Sequence, residues 1–450
     1  MALTRQLGEL AAHAGRAGVG DDAREQAKAG FVDAIATMLA GREEPAVAAL
    51  RRALQPLAGG PCTEVAGFSG TGPGEAALVN GTAAHALDFD DVALRGHPSA
   101  VMVPAILATA QALDCTGRQM LDAYVAGYEA WAELVDREAD MHHMKGWHPT
   151  GIFGAVGAAA ACAALRGLDA RACGHAIGLG ATQSAGLMAN FGSMAKPLQA
   201  GRAAQAGVWA AQWAAHGLAA GEDVLEHEQG FLAAVSPQGR VERGPRAAPV
   251  DGTAPWRIAG RGLSVKKYPT CFYTHRALDA VLALLQARPV QAAEVARVDV
   301  AMSREHATVL RNHRPATGLQ AKFSIEFAMA CALVHGRVGL AELADEAVRA
   351  EAIQQMLERV HVAHCADYDP AWHGAAVADR VTLTLRDGRR LESEPVRQAA
   401  GHAERPLGRQ ELREKFADCL AHGGRGDIAP ALFDRLWSMQ SLRAADLFPS

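Results

Sequence analysis

The chain has 450 residues, 50% hydrophobic and 21% charged, which excludes a disordered or fibrous protein and allows two or three domains. Aromatic residues are only 5%, and alanine and glycine dominate the apolar fraction, so closely packed helices are expected rather than a β-sandwich. The net charge of −5, from 44 basic and 49 acidic residues, shows no basic stripe that would mark a nucleic-acid surface.

Met1 to Gly15 lacks a charged start followed by an apolar run, so no signal peptide is expected. Helical periodicity then predicts helices over Ala23 to Leu39, Gly74 to Leu87, Ala100 to Leu113, Gly117 to Arg137, Gly151 to Leu165 and Gly201 to His216. Thr63 to Phe68 reads as a short strand. The longest apolar run, Ile152 to Leu165, has 14 residues of mostly Ala and Gly and is too short to span a bilayer. The character changes near Gly260. Ala296 to Met302 alternates like a strand, and Val360 to His364 is a second strand candidate. Arg380 to Leu385 and Arg390 to Val396 form a hairpin about Asp387-Gly388, a pair suited to a type I′ turn. Helices are expected over Thr274 to Gln286 and Lys322 to Leu333. After Gly401 helix returns, over Arg409 to Ala421 and Ala429 to Met439. The chain therefore reads as mainly α: an all-helical domain over 1–261, completed by C-terminal helices within 402–450, and a smaller α+β lid domain over 262–401.

The eight cysteines are scattered without a CxxC pair, as reduced, buried thiols of a cytoplasmic protein would be. No metal site is expected. His142-His143 and His361-x-x-His364-Cys365 are the nearest approaches to ligand spacing, and neither has a suitable acidic partner. Gly70-Thr-Gly72-Pro-Gly74 has the look of a dinucleotide fingerprint but lacks the strand and long helix that motif needs.

Three places share one construction. His97-Pro98-Ser99 precedes an apolar helix, and His148-Pro149-Thr150 and Lys196-Pro197 each precede a helix of small residues. Proline is at home in a first helical turn, because its missing N–H would be unpaired there anyway. Each basic residue thus stands at a helix mouth, where free N–H groups and a partial positive charge favour anions. Three such mouths, if they converge, make a pocket for an anion with several carboxylates. Only seven of the 44 basic residues are lysines, so Lys196 and the Lys266-Lys267 pair stand out. His85-Ala-Leu-Asp88-Phe-Asp90-Asp91 lies just upstream of His97, and acids beside a histidine can orient an imidazole. Lys266-Lys267-Tyr268-Pro269-Thr270-Cys271 and His275-Arg276 fall at the change of character, where basic residues could clamp an anion.

Taken together, DFDD and GHPS (Asp88 to Ser99), GWHPTG (Gly146 to Gly151), KPLQAGRAA (Lys196 to Ala204) and KKYPTC (Lys266 to Cys271) resemble the MmgE/PrpD family. That family includes 2-methylcitrate dehydratase, cis-aconitate decarboxylase and iminodisuccinate epimerase. The resemblance implies an all-α domain with an α+β lid, a homodimer, and catalysis without metal or organic cofactor. It implies a pocket of Asp88, His97, His148, Lys196 and Lys266. The chain departs from the decarboxylases in carrying Val92 for a threonine, Cys271 for a histidine and Phe327 for a tyrosine. Asp88 to His97 is one residue shorter than in those relatives, and Gln199 stands where histidine is frequent. DFDD…RGHPS, KKYPTC and KFSIE (Lys322 to Glu326) are closer to the epimerase branch.

The expected chemistry is loss or gain of a group beside a carboxylate, through an enolate-like carbanion held by cations and helix N-termini. His97 or His148 exchanges the proton, with Asp88 orienting the nearby imidazole; either lysine is an alternative base. Lys196, Lys266 and Arg202 hold substrate carboxylates, with Arg95, Gln199, Lys267, Cys271 and His275 as further binding candidates. The leading expectation is a dehydratase-type lyase on a di- or tricarboxylate. The alternatives are an epimerase of a succinate-like acid and a non-catalytic carboxylate-binding protein. Neither nucleic acid nor membrane is an expected partner.

Overall fold

A computed structural model describes residues 2–54, 59–65, 69–244, 255–370 and 374–448. The fold is mainly α and divides into two compact units, Met1–Val265 with Leu412–Ser450, and Lys266–Glu411.

The first unit is built on α1 (Leu3–Ala17), α2 (Asp21–Ala40), α3 (Pro45–Leu54), α4 (Pro73–Ala86), α5 (Pro98–Leu113), α6 (Gly117–Val135), α7 (Pro149–Leu165), α8 (Ala170–Thr182) and α9 (Ala195–Ala215). Every residue of α7 is buried, because α6, α5, α8 and α9 all pack around it. A helix enclosed on all sides has no polar face, so its sequence is uniformly apolar rather than amphipathic. The abundance of alanine and glycine follows from how close these helices come. A Cβ at Gly201 of α9 would lie 2.2 Å from the Leu78 carbonyl oxygen of α4, inside van der Waals contact, so no larger residue fits. Helices α1, α3 and α8 have no counterpart among the elements expected from periodicity. Phe416 stacks edge-on against Phe433 in the C-terminal segment, with ring centroids 5.6 Å apart. That segment is tied to α2 by the buried Lys415–Asp33 ion pair at 2.5 Å.

Strands β1 (Cys62–Glu64) and β2 (Ser69–Thr71) form an antiparallel ribbon before α4. The strand expected over Thr63 to Phe68 is therefore shorter, and Phe68 lies outside the described residues. An antiparallel ribbon is not the parallel βαβ unit of a dinucleotide site, so Gly70 to Gly74 is a ribbon strand running into a helix start. No helix among the described residues is long and apolar enough to cross a membrane.

The second unit carries a four-stranded sheet in the order β4-β3-β5-β6 (Val360–His364, Val295–Met302, Arg380–Leu385, Arg390–Glu392). β3 runs parallel to β4 and antiparallel to β5. Val298, Val300 and Met302 of β3 are buried while Arg297 and Asp299 point the other way, the period-two alternation of a half-covered sheet. Helices His275–Ala287 and Ile325–His335 pack against the sheet. The β5–β6 turn corrects one expectation. Leu385 accepts from Gly388 and donates to Arg389, and only Gly388, at φ 87°, is left-handed there. This is a three-residue loop with glycine at the left-handed position, not a two-residue type I′ turn. A type I′-like turn does occur at Leu94-Arg95, with φ of 50° and 61°, closed by reciprocal Ala93–Gly96 hydrogen bonds of 3.0 and 2.8 Å. Neither residue is one that favours this conformation, and each costs about 1–2 kcal/mol there. Trp131, fully buried, donates to the Leu94 carbonyl at 3.1 Å and braces the turn.

Candidate active site

His97 and His148 are the N-cap residues of α5 and α7, and Pro98 and Pro149 follow in the first turn. The His97 N–H donates to the Thr150 hydroxyl at 3.3 Å, which ties the two helix mouths together. Lys196 differs from the expected arrangement. Helix α9 starts at Ala195 and its N-cap is Met194, so Lys196 lies inside the first turn rather than ahead of it.

The three acids of DFDD take three different partners. Asp88 accepts from the Lys196 ammonium at 2.7 Å and stands 3.8 Å from His97 Nε2. Asp90 is fully buried and accepts from His85 Nδ1 at 3.0 Å. Its other oxygen lies 3.0 Å from His97 Nδ1, close enough for charge attraction but outside hydrogen-bond alignment. Asp91 accepts from the Ser99 hydroxyl at 2.7 Å and from the Ser99 N–H at 3.3 Å. Asp91 therefore caps α5 from outside the helix, satisfying one of its orphan donors. The first turn of α5 is thus already occupied by the Asp91 side chain, whose pKa burial pushes well above the usual carboxylate range. Chain direction explains the division. Asp88, at φ 53°, makes a left-handed turn after α4, and each following residue then faces a new direction.

His85 neighbours both N-cap histidines, its ring centroid 4.5 Å from that of His97 and 5.8 Å from that of His148. Burial pulls the His85 pKa down to about 4, against the pull of Asp90. Asp90 is held well below the usual carboxylate range; burial opposes this, but His85 and His97 outweigh it. His148 is pulled down to about 2, chiefly by burial and then by His85 and Lys196 nearby. Its Nδ1 lies 2.6 Å from Gln199 Oε1. Phe191 completes the cluster. It meets His148 edge-on at 4.9 Å and lies 5.2 Å below the Lys196 ammonium. His143 approaches the same ring at 6.4 Å.

Of the sequence-derived residues, Asp88, His97, His148, Lys196 and Gln199 are brought together, with His85 and Asp90 from the same motif. Arg202 is not. It is exposed on α9, where its guanidinium bonds Gln205 and lies 5.7 Å over the Trp209 ring. Arg95 donates to the Asp140 carbonyl at 2.8 Å. In the second unit Lys266 is buried, and Lys267 pairs with Glu411 at 3.2 Å. His275 is fully buried between Tyr268 and Phe272, at 5.1 and 4.9 Å, with Nε2 3.3 Å from the Thr270 carbonyl. The backbone N–H of Cys271 donates to the Lys322 carbonyl at 2.8 Å. Phe191 was missed in the sequence, where a lone aromatic in the Gly-, Ser- and Met-rich stretch before Lys196 was the available signal, and His143 was weighed there only as a metal ligand.

His85, Asp88, Asp90 and His97 bring ligand-type atoms within 4.8 Å of one another. The Lys196 ammonium already supplies a cation to Asp88, so a divalent ion there would have to displace it or sit beside it at a Coulombic cost. His361 and His364 are three apart on β4, hence on opposite faces of the strand and unable to share an ion. His142 packs edge-on against Phe153 at 4.7 Å as a core residue.

The chain matches the family model of the MmgE/PrpD N-terminal domain over residues 5–243 and that of the MmgE/PrpD C-terminal domain over residues 268–428. It is 26% identical to the cis-aconitate decarboxylase of Homo sapiens over 356 residues, 76% of this chain and 72% of that protein. It is 26% identical over 420 residues to a cis-aconitate decarboxylase-like protein of Aspergillus oryzae, 88% of this chain and 86% of that one. The cis-aconitate decarboxylase of Aspergillus terreus is 24% identical over 384 residues, 79% of this chain and 76% of its own length.

Proposed function

Because this chain belongs to the MmgE/PrpD family, we propose that it is a lyase of the dehydratase type acting on a hydroxylated di- or tricarboxylate. The observation that carries this reading is the gathering of two helix-capping histidines and one lysine around the buried Asp90–His85 pair. A proton beside a carboxylate is weakly acidic, so its removal needs a placed base and a cation for the developing enolate charge. One histidine takes that proton. The electrons of the broken C–H bond become the new C=C bond as the neighbouring C–O bond breaks. The departing hydroxide takes a proton from the other histidine or from Lys196 and leaves as water. Lys196, at the entrance of α9, holds a substrate carboxylate, aided by the positive end of α7. Lys266 is assigned a carboxylate contact on the family resemblance.

Neither metal nor organic cofactor takes part in this scheme, and the protein works as a cytoplasmic homodimer. A second reading is epimerisation, which needs a proton donor on each face of a planar intermediate; the presence of two histidines, His97 and His148, near one another about His85 favours it. Decarboxylation, the activity in the relatives' names, is less favoured by Val92 and Phe327. The direct test of the lyase reading is ultraviolet absorbance of a conjugated unsaturated acid formed from 2-methylcitrate, citrate and malate. No absorbance change with any of them would refute it for those substrates.

A further inference from the structure

We infer that Gln199 is a positioning residue: its amide, anchored on the Leu187 carbonyl, holds His148 in the Nδ1–H tautomer and leaves Nε2 as the proton acceptor. The base assignment rests on the lyase reading; the tautomer does not.

The donors and acceptors on each side chain decide the orientation. Gln199 Nε2 donates to the Leu187 carbonyl at 3.1 Å. The reverse amide orientation would set Oε1 against that carbonyl, two acceptors facing each other. Oε1 therefore faces His148, 2.6 Å from Nδ1. An amide oxygen can only accept, so Nδ1 carries the hydrogen. Burial keeps the imidazole neutral, and a neutral imidazole has one N–H only. Nε2 is then a bare lone pair, and no hydrogen bond to it occurs among the described residues.

The anchor is itself fixed. The Leu187 carbonyl also accepts from the Asn190 N–H at 3.2 Å. Residues 146–148 and 186–188 are laced together by His148 N–H to the Gly186 carbonyl at 3.1 Å and Met188 N–H to the Gly146 carbonyl at 2.9 Å. Gly186 sits at φ 142°, a conformation L side chains rarely adopt. A Cβ there would lie 3.2 Å from Gln199 Oε1 and 3.3 Å from His148 Cβ, so glycine leaves the space in which the two side chains meet. Both ends of the Gln199 amide are engaged within the protein, which makes it a support for His148 rather than a substrate ligand.

The test is nitrogen NMR of the ligand-free protein with 15N-labelled histidine, assigned by subtracting the spectrum of His148→Gln. The wild type is expected to show His148 Nε2 as an unprotonated, pyridine-type nitrogen and Nδ1 as a protonated one. Gln199→Leu, which has no acceptor, is expected to give a tautomer mixture and to lower kcat by about 10- to 100-fold, the scale of a misplaced catalytic group, with an unchanged melting temperature. Gln199→Glu keeps an acceptor for Nδ1 but loses the donor to the Leu187 carbonyl, so it is expected to keep Nδ1 protonated while losing the anchor, with kcat between those of the wild type and Gln199→Leu. A wild-type His148 protonated at Nε2 overturns the proposal, whether or not the protein is a lyase. So does a Gln199→Leu variant with wild-type tautomer or wild-type turnover.

Discussion

Asp90, not Asp88, is the carboxylate that meets His97 at Nδ1, 3.0 Å away, while Asp88 is 2.7 Å from the Lys196 ammonium. The two acids therefore act on different halves of the cluster, and their variants should separate in kinetics. Asp90→Asn is expected to lower kcat by about 10²-fold, because His97 loses the negative charge beside Nδ1 and His85 loses its hydrogen-bonded carboxylate. Asp88→Asn frees Lys196 from an internal competitor, so KM is expected to fall severalfold with kcat less affected. Steady-state kinetics of both variants checks this, and the opposite split contradicts it.

Lys196→Ala should weaken binding of a tricarboxylate by roughly 10- to 100-fold, since a charge-assisted contact contributes about 1.5–3 kcal/mol. Lys266→Ala is expected to behave alike. Titration calorimetry with unchanged affinity for both variants would remove the lysines from substrate binding.

Much of the cluster could be read from the sequence, because a His-Pro pair before an apolar run fixes both the start of a helix and the residue at its cap. His97 and His148 follow from that rule. The rule fails at Lys196, since α9 begins a residue earlier on Ala195, and nothing in Met194-Ala195 marks the start. The roles within DFDD were not legible, because a left-handed turn at Asp88 decides which way each acid points. The type I′-like turn fell at Leu94-Arg95, where composition disfavours it, and not at Asp387-Gly388. Helix α8 went unseen because its glycines, among them Gly174, Gly178 and Gly180, look like loop punctuation in sequence but serve close packing.

His148 and His85 are pulled down to about 2 and about 4 by burial. A base with a lowered pKa stays neutral above that value, so neither should gain a proton between pH 8 and pH 5 in the ligand-free protein. An NMR pH titration of labelled histidine is expected to leave both resonances unmoved over that range. Any neutral-pH ionisation in kcat/KM then belongs to another group, and a His148 that titrates near 6.5 would contradict the burial argument.

Replacing either capping histidine with glutamine should preserve the melting temperature and lower turnover by about 10²–10⁴-fold for the residue that moves the proton. The remaining one should act mainly on KM or on release of the leaving group. Wild-type turnover in both His97→Gln and His148→Gln would leave Lys196 or Lys266 as the base.

Exhaustive chelation followed by assay should leave activity intact, because Lys196 supplies the cation that the His85, Asp88, Asp90 and His97 set would otherwise seek. Activity lost on chelation and restored by Zn²⁺ or Fe²⁺ would contradict this and assign those four residues as ligands.

Proton NMR in deuterium oxide with a panel of citrate-like and succinate-like acids reads the proposed chemistry itself. A lyase should give loss of the signal beside a carboxylate together with growth of an alkene signal for at least one hydroxylated di- or tricarboxylate. Deuterium exchange or inversion without any alkene would contradict the lyase reading in favour of epimerisation, and no change with any acid would contradict catalysis on this class altogether.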